Sequence, residues 1–124
     1  KPLVRVGAQG CSGLDMKYVL VVPILSIPKV LAKDGLKVED IDIHEINEAF
    51  STSSVAIIRE LNIDPKKVNV NGGAVAIGHP MGASGARFLT TLIYALKDRD
   101  LEVGQASLCL GGGEAVTLVV YNER

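Results

Sequence analysis

"ASLCLGGGEAVTLVVY", residues 106–121, decides the fold class. The runs "ASLCL" and "AVTLVVY" are strand-like and are joined by "GGGE", most simply as an antiparallel hairpin. Further upstream, apolar positions alternate between strand-like and helix-like periods. A hairpin that closes such an alternation predicts a layered α/β domain. Its sheet is mixed and five-stranded, with helices packed on it.

The other elements follow from local spacing. Residues 3–8 read as a strand, followed by a loop through "QGCSGLD". Residues 30–33 form the body of a short helix, with Pro28 tolerated only in its first turn and Gly35 ending it. "IDIHEI", residues 41–46, alternates as a strand, and Asn47 then stands where a helix N-cap would stand. Residues 49–61 carry helical spacing, stopped by Pro65, and "VNVNGG" is a short strand running into a glycine turn. A second long helix begins after Pro80, with Phe88, Leu89, Leu92, Ile93 and Leu96 on one stripe.

Length and composition narrow the function classes. The 124 residues fit one domain, spanning 1–124, and the 48% apolar and 22% charged shares are ordinary for a globular protein. With a net charge of −1 and scattered Lys and Arg, no basic stripe points to nucleic acid. The longest apolar run, residues 19–25, contains Pro23 and is too short to cross a membrane. "KPLVRV" lacks a signal-peptide pattern, and Cys11 and Cys109 are too few for a disulfide framework. A reducing, cytoplasmic location is therefore expected. The first residue is Lys1 rather than Met, as expected for a piece of something longer.

The chemistry concentrates at two glycine clusters. In "GGAVAIGHPMGASGAR", residues 72–87, glycines surround His79 and the entrance to a helix. Such a junction directs backbone N–H groups outward and suggests a phosphate cradle. The spacing matches neither dinucleotide nor P-loop fingerprints, nor the G-x-S-x-G elbow of serine hydrolases. What remains is a histidine whose backbone is fixed by Pro80, readable either as a capping residue or as a held imidazole. Cys109, just before Gly111, Gly112 and Gly113, reads either as a small buried hydrophobe or as a thiol with room for a ligand. Cys and His together suit an acid/base or nucleophile pair, but are too few for a zinc site, so no metal is expected. Asn47 is either an N-cap or a polar group holding a water or a carbonyl oxygen. His44 and Cys11 receive no role.

Together, "NEAF" at residues 47–50, "NGGAVAIGHPMGASGAR" at 71–87 and "CLGGG" at 109–113 resemble the C-terminal domain of the thiolases. These are acyl-CoA C-acyltransferases, and the resemblance covers nearly the whole chain. It implies a mechanism divided between two domains, with the nucleophilic cysteine on an N-terminal domain that this chain lacks. His79 would activate that nucleophile and contribute to an oxyanion hole, completed by a water on Asn47. Cys109 would move a proton on or off the acetyl α-carbon or the leaving thiol. The Gly111 N–H would belong to a second oxyanion hole. The implied substrates are coenzyme A thioesters with no separate cofactor, and the implied partners are an N-terminal thiolase half and further copies of the enzyme.

The resemblance has two departures. Family members usually continue "CxGGGxG", whereas Ala115 stands here at the last glycine, where a left-handed conformation would cost Ala more. "YVLVVPILSIP", residues 18–28, lacks the glycine common near the acyl-CoA tail. Two readings follow: a thiolase half competent only beside its N-terminal half, or a thiolase-like binding or assembly module without turnover. A separate chain of either kind should expose a large apolar face.

Overall fold

A computed structural model describes residues 1–123. The elements are β1 (Val4–Gly13), α1 (Pro23–Leu31), β2 (Ile43–Ile46), α2 (Ser51–Glu60), α3 (Ala74–Ile77), α4 (Ser84–Asp98), β3 (Val103–Leu110) and β4 (Glu114–Asn122). The sheet order is β1-β4-β3-β2. β4 runs antiparallel to both β1 and β3, and β2 runs parallel to β3, so the sheet is mixed. The hairpin forms as expected, closing on Leu110 and Glu114.

Each sheet face has its own core. On one side Ile27, Val30 and Leu31 of α1 and Ile57 of α2 pack with Ile41, Ile46 and Val119. On the other, Phe88, Leu92 and Leu96 of α4 pack with Ile43, Ala106 and Val120. The alternation of Ile43 and Ile46 between faces, and of Val119 and Val120, is the strand period expressed in packing. Of the α4 stripe, Phe88, Leu92 and Leu96 are buried, while Leu89 and Ile93 are half-buried.

Among the described residues the sheet has four strands rather than five. "VNVNGG" makes one parallel bridge, His44 to Val68, and then Asn69 turns left-handed at φ 47°. That conformation, tolerable for Asn, ends the extended run. The Asn69 carboxamide then substitutes for a strand: Ile46 N–H donates to its Oδ1 and its Nδ2 donates to Ile46 O, both at 2.9 Å.

Other boundaries also move. β1 continues through "QGCSG", with a bulge between Val6 and Gln9. Lys33 Nζ and Lys29 Nζ donate to the edge carbonyls of Gln9 and Cys11, at 2.7 and 2.9 Å. Gly10 makes room for Lys33, because a Cβ there would meet its Nζ at 3.0 Å. α1 starts at Pro23, leaving Pro28 inside the helix. Pro28 is exposed, so water can hydrate the carbonyl that its missing N–H leaves free. Ala115 does not occupy a left-handed turn; Gly112 and Gly113 take the positive φ values, 105° and 90°. Ala115 is instead a fully buried strand residue paired with Cys109. Among the described residues, no helix is long and apolar enough to cross a membrane.

Candidate functional site

β2 and β3, being parallel, end on the same side of the sheet, and the glycine loop before α4 arrives there too. Asn47 follows β2 directly, and its N–H donates to Ser107 O at 3.0 Å, which holds it beside β3. It is 4% exposed and caps nothing, since α2 begins at Ser51 with Phe50 at the N-cap position. The Asn47 side chain points to the glycine loop instead, with Nδ2 3.5 Å from His79 Nε2.

His79 is exposed and follows Gly78, whose φ of 91° turns the chain out of α3. Its Nδ1 lies 2.6 Å from Ser84 Oγ, in the first turn of α4. Ser84 is 2% exposed and also lies 3.1 Å from Pro80 O. A carbonyl only accepts, so the Ser84 hydroxyl donates to Pro80 and its oxygen accepts from His79 Nδ1–H. This assigns the lone pair to Nε2, the nitrogen beside Asn47. Ser84 is the site residue that motif reading missed. The sequence offered only a Ser at a helix start, and nothing in the motif spacing tied it to the ring.

Cys109 is the penultimate residue of β3, half-buried, and burial pushes its thiol above the ordinary value. His79, Ser84, Cys109 and Gly111 line one cavity of about 490 Å³. Its walls include Val19, Leu20, Phe50, Met81 and Leu108. Val19 and Leu20 belong to the stretch that departs from the family pattern, so that stretch does reach the cavity. Nothing lies within 4 Å of where a Cβ on Gly111 would stand, so its backbone is open to the cavity. Cys11 lines other clefts, beside α4 and along β1. Among the described residues, no three His, Cys, Asp or Glu side chains gather as metal ligands would.

β2 also carries two buried titratable neighbours on opposite faces. Gln105 Nε2 donates to His44 Nδ1 at 3.0 Å, so His44 does have a partner, and His44 is 1% exposed. Burial, then the charge of Lys67, lowers its pKa from 6.5 to about 4. Glu45 faces α4, and burial raises its pKa from 4.5 to about 7, opposed by Arg87 and reinforced by Glu48. Stability due to neutral His44 is full above pH 6.5 and lost as pH falls through about 4. Stability due to protonated Glu45 is full below pH 4.5 and lost as pH rises through about 7. The two slopes cancel between pH 4.5 and 6.5. Glu45→Gln is therefore expected to unmask the histidine slope, approaching ~1.4 kcal/mol per pH unit. Denaturant titrations across that range check it, and an E45Q slope equal to the wild type's refutes the cancellation.

The chain as a whole is similar to several known proteins. A Staphylococcus aureus protein named "Probable acetyl-CoA acyltransferase" is 46% identical over 120 residues, covering 97% of this chain and 30% of its own length. The crystal structure of Bacillus anthracis acetyl-CoA acetyltransferase matches with a TM-score of 0.97 at 45% identity, over 99% of this chain and 31% of that one. Human mitochondrial 3-ketoacyl-CoA thiolase, in a crystal structure with CoA, matches with a TM-score of 0.97 at 37% identity, over all of this chain and 32% of that one. The chain thus spans about a third of the length of these relatives. The family model described as "Thiolase, C-terminal domain" matches residues 1–122, and the chain belongs to that family.

Proposed function

We propose that the chain is the C-terminal half of an acyl-CoA C-acyltransferase, acting in fatty acid metabolism by reversible Claisen condensation and thiolytic cleavage of 3-ketoacyl-CoA. The observation that supports this best is the meeting of imidazole, thiol and open backbone at one cavity, with a carboxamide against the imidazole. In the cleavage direction, His79 Nε2 takes the proton of a cysteine thiol supplied by the N-terminal half. The thiolate attacks the 3-keto carbonyl, the carbon–carbon bond breaks, and an acyl-enzyme and the enolate of acetyl-CoA result. The protonated His79 Nε2–H and a water on Asn47 hold the enolate oxygen. Cys109 gives its proton to the α-carbon, and its raised pKa keeps that proton in place at neutral pH until then. The Cys109 thiolate next takes the proton of incoming CoA, whose sulfur attacks the acyl-enzyme. The tetrahedral oxyanion accepts from the Gly111 N–H, and His79 returns its proton to the departing cysteine.

The surface supports an N-terminal partner. Phe50, Val75, Ile77 and Met81 are each more than 60% exposed around His79. α4 covers only part of its sheet face, leaving an apolar cleft of about 410 Å³ that reaches Cys11, Leu108, Val116 and Leu118. The N-terminal half covers these surfaces, and the completed enzyme is a cytoplasmic homo-oligomer. The test is acetoacetyl-CoA cleavage by CoA, with this chain alone and with the N-terminal half added. No turnover is expected alone, and turnover is expected from the completed enzyme. Activity of the isolated chain contradicts the mechanism. Inactivity of the completed enzyme favours the binding-module reading.

A further inference from the structure

We propose that Glu48 is a positioning residue that clamps the His79 loop to the end of β2. Its catalytic consequence rests on the function proposed above. Glu48 Oε2 accepts the Val75 N–H at 2.9 Å, at the start of the short helix that leads to His79. The neighbouring residue, Asn47, reaches His79 itself at 3.5 Å, too long to hold a loop in place. Ser84 fixes the ring against the start of α4 at 2.6 Å, but the tie between the loop and the end of β2 falls to the Glu48 carboxylate, whose charge strengthens the bond to the amide.

Gly73 reports the same clamp from the loop's side. Its φ is −127°, so no left-handed backbone requires glycine there. A Cβ at Gly73 would instead lie 2.5 Å from Glu48 Oε2 and 3.1 Å from Asn69 Nδ2. The glycine makes space for the carboxylate. Beyond Val75 the loop's backbone hydrogen bonds are local: Ile77 N–H donates to Gly73 O, Gly78 N–H to Ala74 O, and Ala83 N–H to Pro80 O. Val75, Ile77 and Met81 point outward, 68%, 65% and 84% exposed, so apolar packing within this chain does little to fix the segment. Adjacent residues thus divide the work: Asn47 meets the imidazole, and Glu48 sets where the loop that carries it lies, while Ser84 orients the ring.

The test compares Glu48→Ala, Glu48→Gln and Gly73→Ala in the enzyme completed with its N-terminal half. E48A is expected to lower kcat about ten- to a hundredfold with KM for the CoA thioester little changed, as for a misplaced rather than missing group. Exchange of the Val75 amide proton should accelerate in E48A. E48Q, whose side-chain oxygen accepts the same N–H, should restore kcat to within about threefold of wild type, since it restores position. G73A, which crowds the carboxylate without removing it, should behave as E48A does, and decides the matter if E48A fails to fold. Unchanged kcat in both E48A and G73A, or an E48Q as slow as E48A, overturns the proposal. If the wild-type enzyme proves inactive, the functional reading fails separately. Val75 exchange and the His79 ring resonances in the same variants then still decide whether Glu48 holds the loop.

Discussion

His79→Ala is expected to lower thiolytic turnover by about three orders of magnitude or more in the completed enzyme, with little loss of stability. In the proposed mechanism the ring serves twice: as the base that ionises the nucleophile, worth about 10²–10⁴ in rate, and as a donor to the enolate oxygen, worth about 10²–10³. The two effects do not simply multiply, because one imidazole performs both. Stability is spared because the side chain is exposed and contacts Ser84 and Asn47 rather than either core. Substitutions at such positions usually change stability by less than about 0.5 kcal/mol. Steady-state kcat with acetoacetyl-CoA, read beside the thermal midpoint, checks both halves. A variant within tenfold of the wild-type rate would remove His79 from the mechanism.

The second large effect belongs to Cys109, where packing and chemistry must be separated. Cys109→Ala should cost about 10²–10⁴ in kcat, the usual worth of a positioned proton donor. Cys109→Ser supplies the contrast. Serine keeps nearly the same shape, but its hydroxyl does not exchange protons near neutrality as a thiol does. If Cys109 were a packing residue, opposite buried Ala115, serine would be close to wild type. As the proton carrier, it should fail nearly as badly as alanine. Near-normal rates in C109S would assign Cys109 to packing.

Much of the site was legible because its residue types and spacings are unusual together. Asn47, His79, Cys109 and Gly111 come from three separated motifs, and the fold brings them to one end of the sheet, with His79, Cys109 and Gly111 on one cavity and Asn47 against the imidazole. Ser84 and Glu48 were not legible as a pair, though both lie inside the quoted motifs. Their importance lies in what they touch, a ring nitrogen and a backbone amide, and spacing carries no record of such contacts. The two readings of Asn47, N-cap or polar group, could not be separated for a similar reason, and the structure removes the cap. Asn after a strand and before a helical pattern suits a cap, and only the position of the glycine loop showed where its carboxamide points.

What this sequence determined by itself was the α/β class, the terminal hairpin and the apolar stripe of α4, because apolar periodicity and glycine turns are local properties. The tertiary structure alone decided that the sheet has four strands, that β1 runs on through its glycines, and that Pro28 lies within a helix. Each of these depends on contacts distant in sequence. The Asn69 carboxamide replaces a strand on Ile46, Lys29 of α1 and Lys33 just after it reach the edge carbonyls of β1, and Pro28 lies exposed. A local preference sets what a segment can form. The neighbours that satisfy its backbone decide what it does form.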